Sequence, residues 1–245
     1  MARMIGRRMR QGTSLDRLIP PEIRNDSLYS AIVRVAATPG VRHMLEIGSS
    51  GGDGSTEAFI EGALKNPTLP TLHCIEISDL RYQALRKRHA SRVFVRCYHA
   101  SSVPLEKVAS AAEVTDFYHS VQSALNDYPL KTVLRWLEQD VRYIKEHGLD
   151  SNGIRDVKNI NELNVFDAVL IDGSEFTGRA ELDEVYGASY ILLDDVRAFK
   201  NYANFARLSA DPAYALVEVS EHVRNGYAVF QLAGSTRPPA SVGAP

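Results

Sequence analysis

Acidic residues follow two apolar runs in the second half of the chain. Asp172 comes directly after the run 166–171, and Asp194 and Asp195 follow the run 188–193. If both runs are neighbouring parallel strands, these carboxylates meet at the edge where open α/β sheets bind ligands. Converging carboxylates repel one another, and Mg²⁺, which prefers oxygen ligands, relieves that repulsion. We therefore expect these three acids to bind Mg²⁺ or another divalent cation; the alternative is that they only cap a helix and order a loop.

Glu175 lies three residues after Asp172 and offers a second kind of chemistry. A buried carboxylate whose pKa rises towards neutrality can accept a proton from a substrate. Glu175 can equally lie beside the metal or serve as the first-turn acid of the following helix. We expect Glu175 and Asp172 to be catalytic, with His99, His119 and His222 as rival bases.

A glycine-rich loop follows the first predicted strand. Residues 46–56 read Glu-Ile-Gly-Ser-Ser-Gly-Gly-Asp-Gly-Ser-Thr. Glycines let the backbone approach a ligand closely, and the helix that follows offers free N–H groups. Glu46 would repel a pyrophosphate, but it can reach a ligand's amino group or order the loop. Glu76, at the end of the next apolar run, can accept hydrogen bonds from both ribose hydroxyls.

Alternating strand and helix patterns predict the elements that position these residues. The expected strands are 42–47, 71–77, 93–98, 166–171, 188–193, 214–219 and 226–232, and the expected helices are 26–37 (capped by Asn25 or Asp26), 55–64, 79–89, 177–186 and 198–208. This alternation predicts an α/β fold with a mostly parallel sheet and helices on both faces. The last two strands leave no room for a helix between them, so we expect them to be antiparallel.

The strand-helix rhythm stops between about residues 104 and 165. This segment contains amphipathic helical patterns and several aromatic residues, so we expect a helical insertion, or lid, that covers an acceptor. The predicted organisation is an N-terminal tail and helix (1–41), a main domain (42–235) and a disordered tail (236–245) rich in Pro, Ser, Gly and Ala.

The loop and the acid of the second strand resemble a known family. Glu46-Ile47-Gly48 with Gly52 resembles motif I of class I S-adenosylmethionine-dependent methyltransferases, and Glu76 resembles the acid of their second strand. His99-Ala100-Ser101-Ser102 resembles the segment that borders their adenine. The resemblance spans residues 42–232 without the insertion, although Ser50 stands where many members have glycine.

The resemblance implies a Rossmann-like methyltransferase fold, with a seven-stranded, mostly parallel sheet whose last strand is antiparallel. It implies S-adenosylmethionine as the cofactor. The expected cofactor-binding residues are Glu46, Gly48, Ser49, Ser50, Gly52, Ser55, Glu76, Ser101, Ser102 and Asp172.

The acids after the fourth and fifth strands resemble those of the metal-dependent O-methyltransferases, including catechol, caffeoyl-CoA and macrocin-type enzymes. That resemblance implies Asp172, Asp194 and Asp195 as ligands of Mg²⁺, which lowers the pKa of an acceptor hydroxyl and holds its oxygen in line with the methyl group. Glu175 stands where these enzymes carry lysine or histidine. The expected activity is O-methylation of a small-molecule hydroxyl.

Three alternatives remain open from the sequence. They are a metal-independent methyltransferase with a side-chain base, an NAD(P)-dependent oxidoreductase on a similar fold, and a non-catalytic methyltransferase-like protein. The sequence places no Tyr-x-x-x-Lys pair after the fourth or fifth strand, which disfavours the oxidoreductase.

Composition limits the partners. Lys and Arg number 28 against 30 Asp and Glu, for a net charge of -2, so no excess positive charge attracts nucleic acid or an anionic membrane. The basic N-terminus lacks the apolar stretch of a secretory signal, and no apolar run is long enough to span a membrane. We expect a cytoplasmic protein whose partner is a small-molecule acceptor, and an insertion of this kind can also join subunits into a homo-oligomer.

Overall fold

A seven-stranded sheet forms the centre of the computed structural model, which describes residues 15, 17–24 and 26–234. The strands are β1 (His43–Ile47), β2 (Thr71–Glu76), β3 (Val95–His99), β4 (Ala168–Ile171), β5 (Tyr190–Asp194), β6 (Tyr214–Ser220) and β7 (Tyr227–Leu232). Their order is β3-β2-β1-β4-β5-β7-β6. The first five strands are parallel, and β7 is antiparallel to both β5 and β6. The predicted fold class is confirmed.

Eight α-helices surround or cover the sheet within the described residues. They are α1 (Ser27–Ala36), α2 (Ser55–Lys65), α3 (Asp79–Arg88), α4 (Ala111–Ser120), α5 (Leu130–Glu146), α6 (Gly153–Ile160), α7 (Gly178–Val185) and α8 (Phe199–Ala210). Helix α1 begins where predicted, because the Asp26 carboxylate accepts a hydrogen bond of 2.8 Å from the Tyr29 amide. Asn25, the other predicted cap, lies outside the described residues.

Each face of the sheet is covered by three helices. Alternate residues of a strand point to opposite faces, so Met44 of β1 packs in the layer under α1 and α2, and Leu45 packs in the layer under α6, α7 and α8. Leu28 and Ile32 of α1 are fully buried in the first layer. The predicted N-terminal helix therefore shares the main core.

The insertion after β3 is shorter than the predicted range 104–165. Its last helix, α6, buries Ile154 and Val157 in the second apolar layer, so α6 is an ordinary crossover helix of the sheet. We call residues 104–150 the lid. The lid has its own apolar cluster around Val133, and the ring of Phe117 contacts that of Phe199 at the start of α8, with centroids 5.0 Å apart.

The tail predicted at 236–245 lies outside the described residues. Among the helices that the structure describes, none is long and apolar enough to cross a membrane.

Candidate active site

A cavity of about 380 Å³ lies at the carboxyl edge of the parallel strands, beneath the lid. Its volume is within the usual range of small-molecule sites. The cavity joins the two groups of residues singled out from the sequence: Gly48, Ser49, Ser50, Ser55, Glu76, Ser101 and Ser102 on one side, and Asp172, Glu175, Asp194 and Asp195 on the other. The N-terminal segment 19–23 also lines it.

Gly48 is where the loop after β1 meets the end of β4. Its φ is +87°, and a Cβ atom at this position would lie 2.1 Å from the carbonyl oxygen of Asp172. No other residue type fits so close a backbone approach. Ser50 also has a positive φ, of 50°.

Glu46 and Gly52 do not line the cavity. The Glu46 carboxylate is fully buried and accepts a hydrogen bond of 2.7 Å from the hydroxyl of Thr56, at the start of α2. Glu46 points to this face because it alternates with Leu45 along β1. Gly52 faces α3, and its carbonyl oxygen accepts a hydrogen bond of 2.8 Å from His89 Nε2. Of the two roles foreseen for Glu46, the structure favours ordering of the loop.

Glu76 lies in the cavity wall at the end of β2. Its Oε2 accepts a hydrogen bond of 2.7 Å from the Ser50 amide, and its Oε1 accepts one of 2.7 Å from the Ser78 amide. Burial raises the pKa of this carboxyl against the opposing effect of the amides. A carboxylate has about four acceptor sites, so Glu76 holds the loop and retains capacity for ribose hydroxyls.

The segment after β3 lines the cavity mainly with its small serines. The Ser102 hydroxyl donates a hydrogen bond of 2.6 Å to Oε1 of the buried Glu181. The Ser101 hydroxyl donates one of 2.6 Å to the carbonyl of Val103. His99 binds the carbonyl of Ile77 with its Nε2.

None of the three rival histidine bases belongs to the cavity wall, and His119 and His222 are exposed.

The three predicted ligand acids converge as expected. Each of Asp172, Asp194 and Asp195 has a carboxylate oxygen within 4.8 Å of the other two. Between them lies an ammonium group that the sequence analysis missed. Nζ of Lys200 is 2.6 Å from Asp172 Oδ1 and 3.0 Å from Asp195 Oδ2, and its side chain is only 5% exposed. Burial works to lower the pKa of Lys200, but the acids outweigh it and raise that pKa well above its usual value.

A second missed cation approaches from the turn between β6 and β7. Arg224 donates to Asp194 Oδ1 at 2.7 Å and also pairs with Asp26, the cap of α1. Asn225 donates to Asp195 Oδ1 at 3.1 Å. Lys200 left one signal in the sequence, because a lysine in the first turn of a helix opposes the helix dipole unless carboxylates lie nearby.

Glu175 lies in the cavity wall beside this cluster. Its Oε1 accepts a hydrogen bond of 3.4 Å from the backbone amide of Lys200, in the first turn of α8. Burial raises the pKa of Glu175, with Lys200 opposing that effect. The structure thus brings both predicted catalytic residues to the cavity.

Asp140 of α5 is a further cavity-lining acid that the sequence analysis missed. Its Oδ2 accepts a hydrogen bond of 2.6 Å from the Ser174 hydroxyl, which joins the lid to the loop after β4. Burial raises the pKa of Asp140 to about 6, with the bond from Ser174 and the charge of Arg81 opposing. The aromatic residues of the lid, by contrast, are absent from the cavity wall.

Replacement of Asp140 by asparagine should change how stability depends on pH. In the folded protein the pKa of Asp140 lies near 6, above its unfolded value of about 3.9, so the folded state binds the proton more tightly. Asp140 therefore makes the free energy of unfolding fall as pH rises from about 4 to about 6. In Asp140→Asn this fall, about 2–3 kcal/mol at 1.36 kcal/mol per pKa unit, should vanish.

Urea unfolding at several pH values would measure this difference, with Glu138→Gln, an exposed position on the same helix, as the control. Parallel pH curves for wild type and Asp140→Asn would contradict the assignment.

The sheet order, the reversed β7, the glycine loop after β1 and the acid at the end of β2 together define the fold of class I methyltransferases. No family model and no curated protein matches the sequence. Among solved structures, a Staphylococcus aureus protein assigned as a caffeoyl-CoA O-methyltransferase is similar, with a TM-score of 0.52, 14% identity, and coverage of 86% of this chain and 85% of the other.

Two further similar structures are an O-methyltransferase from Bacillus cereus in complex with S-adenosylhomocysteine (TM-score 0.49, 12% identity, 87% and 84% coverage) and a Podospora anserina methyltransferase bound to S-adenosylhomocysteine (TM-score 0.49, 15% identity, 86% and 80% coverage). At these identities the likeness concerns the fold. The resemblance drawn from the sequence is confirmed at that level.

Proposed function

We propose that this protein is an S-adenosylmethionine-dependent methyltransferase that methylates the hydroxyl oxygen of a small-molecule acceptor. One observation carries the proposal: a single cavity connects the loop after β1 and Glu76 to the acids after β4 and β5. The solved structures of similar fold include O-methyltransferases with bound S-adenosylhomocysteine, which is what this reaction leaves behind.

The cofactor has a chemical reason to bind at this loop. The first turn of α2 has no side-chain cap, and the Glu57 and Ala58 amides donate to the Gly54 carbonyl, which leaves the Ser55 and Thr56 amides for a ligand. Ser55 and Gly48 line the cavity beside them, and Glu76 offers carboxylate oxygens for ribose hydroxyls. Together these groups suit a nucleoside.

Methyl transfer from this cofactor needs positioning and removal of one proton. The acceptor oxygen forms a bond to the methyl carbon, the electron pair of the carbon–sulfur bond passes to sulfur, and the acceptor's hydroxyl proton passes to a carboxylate. We assign that carboxylate to Glu175, because burial raises the pKa of Glu175 towards the range of a general base. Asp172 is less suited to this role, since its Oδ1 is engaged by Lys200.

Binding of a divalent cation, expected from the sequence, stays a prediction. The cations that already pair with the three acids do not fit such a site. The donor set has suitable oxygens, but the Lys200 ammonium already pairs with two of the three acids and Arg224 pairs with the third. A metal would have to displace a buried cation. The metal-independent alternative, with Glu175 as the base, is therefore the form of the reaction that the site supports best.

Isothermal titration with S-adenosylmethionine, S-adenosylhomocysteine and NAD⁺ tests the proposal. We expect the two sulfur compounds to bind with a Kd in the micromolar range, where KM values of enzymes commonly lie, and NAD⁺ not to bind. If neither sulfur compound binds at about 1 mM, the proposal is contradicted. Binding of NAD⁺ in their place would favour the oxidoreductase.

A further inference from the structure

We infer that the Lys200 ammonium takes the place of a divalent cation at this edge of the sheet and binds the acceptor oxygen itself. The inference rests on the proposed function, because it assigns a role within the same methyl transfer. It is an alternative to the sequence-based expectation that Asp172, Asp194 and Asp195 share a metal ion.

The Lys200 ammonium lies where a bridging metal ion would have to lie. Nζ of Lys200 lies 2.6 Å from Asp172 Oδ1 and 3.0 Å from Asp195 Oδ2, which come from the ends of β4 and β5. A metal ion bridging the same strands would need the same oxygens, and it would meet a like charge within a few ångströms.

Few carboxylate oxygens of the three acids remain for a metal ion. Asp194 Oδ1 accepts from Arg224, and Asp195 Oδ1 accepts from Asn225. Together with the two oxygens that Lys200 binds, four of the six carboxylate oxygens have protein donors. Mg²⁺ usually takes one or two carboxylates together with waters, and the two remaining oxygens belong to Asp172 and Asp194, which already pair with Lys200 and Arg224.

Contacts with both strand ends and with α7 fix the backbone of Lys200. The neighbouring Asn201 donates to the carbonyls of Ile171 and Asp194 at 3.0 and 2.6 Å, which ties the first turn of α8 to both strand ends. A Cβ atom added to Gly178 would lie 1.9 Å from the Lys200 carbonyl oxygen, so α7 packs directly on this backbone. The lysine stem therefore starts from a fixed point beside both strand ends.

The cavity gives this ammonium access to an acceptor. Lys200, Asp172 and Glu175 all line it. An ammonium has three hydrogens, two of which serve Asp172 and Asp195, and the third can donate to an acceptor oxygen. As that oxygen loses its proton to Glu175, the fixed positive charge stabilises the developing negative charge. Lys200 keeps its own protons throughout.

Metal binding tests the inference without any need for an acceptor. The protein is dialysed against EDTA and titrated with Mn²⁺, with free Mn²⁺ followed by electron paramagnetic resonance and Mg²⁺ binding followed by calorimetry. Wild type should bind neither ion at this site. Lys200→Met, which keeps the stem and removes the charge, leaves three acids facing one guanidinium and should gain one Mn²⁺ site per chain, at least about tenfold tighter than any wild-type binding.

Lys65→Met is the matched control, because Lys65 is an exposed lysine paired only with Glu61 in α2. It should behave as wild type. If circular dichroism shows that Lys200→Met is unfolded, Lys200→Gln replaces it in the titration. One Mn²⁺ per wild-type chain at an affinity like that of the variant would overturn the inference, and so would absence of binding in wild type and both Lys200 variants.

These readouts separate the inference from the proposed function. If neither sulfur compound binds but the Mn²⁺ result is as expected, the proposed methyltransferase function is rejected. The conclusion that Lys200 takes the place of a metal ion is then retained. If the cofactor binds while wild type takes up Mn²⁺ at this site, the proposed function stands and the inference is wrong.

Discussion

Gly48→Ala is expected to lose about 3 kcal/mol or more of unfolding free energy and most of its affinity for S-adenosylhomocysteine. The added Cβ would lie 2.1 Å from the Asp172 carbonyl oxygen, so either the loop after β1 or the end of β4 must move. The φ of +87° adds the cost of a left-handed conformation, about 1–2 kcal/mol for a residue with a side chain. Urea unfolding and calorimetry measure the two losses.

Gly148→Ala separates the steric cost from the backbone cost. Gly148 also has a positive φ, of 64°, but a Cβ there has nothing within 4 Å. Its replacement should cost only about 1 kcal/mol and leave cofactor affinity unchanged. Equal losses in both variants would show that the close approach of Gly48 to Asp172 is not what the loop needs.

Glu76→Ala should lower the affinity for S-adenosylhomocysteine by about 100-fold, since a charged hydrogen-bond acceptor contributes about 1.5–3 kcal/mol. The Ser50 and Ser78 amides would also lose their partner, which loosens the loop. Glu76→Gln should not restore binding, because its amide group would place a donor against one of these two donors. Calorimetry measures each affinity, and Glu106→Ala, at an exposed glutamate of the lid, is the control.

Minimal ligands distinguish the two roles of Glu76. Wild type should prefer adenosine to 2′-deoxyadenosine, and Glu76→Ala should bind both equally weakly. If the variant still discriminated between them, Glu76 would order the loop without contacting the ribose.

The fold was largely predictable because its signals are local. The apolar strands, the glycine loop and the Asp26 cap act within a few residues, and the crowded final strands β6 and β7 allowed only an antiparallel turn. The extent of the lid was less predictable, since the periodicity of α6 does not say which surface it covers. Its burial against the sheet depends on contacts distant in sequence.

The site was predictable where chemistry coincides with a strand end. Glu76 and Asp172 lie at strand ends, so their approach to the cavity followed from parallel pairing alone. The orientation of Glu46 towards α2 was also predictable, because side chains alternate between the two faces along β1. The contacts of Lys200 and Arg224 could not be derived from the sequence, because they depend on turns in which Asp195 and Arg224 itself adopt positive φ.

The contacts of Arg224 bear on the order in which the site is assembled during synthesis. Arg224 joins Asp26 to Asp194 and is 198 residues away from Asp26 along the chain. During synthesis the segment with Asp26 emerges from the ribosome long before the segment with Arg224. Until the later segment emerges, β5 also lacks its neighbour β7. Nascent chains that end before residue 224 leave Asp194 without its guanidinium partner. We therefore expect the acidic cluster to be completed only after this hairpin has formed.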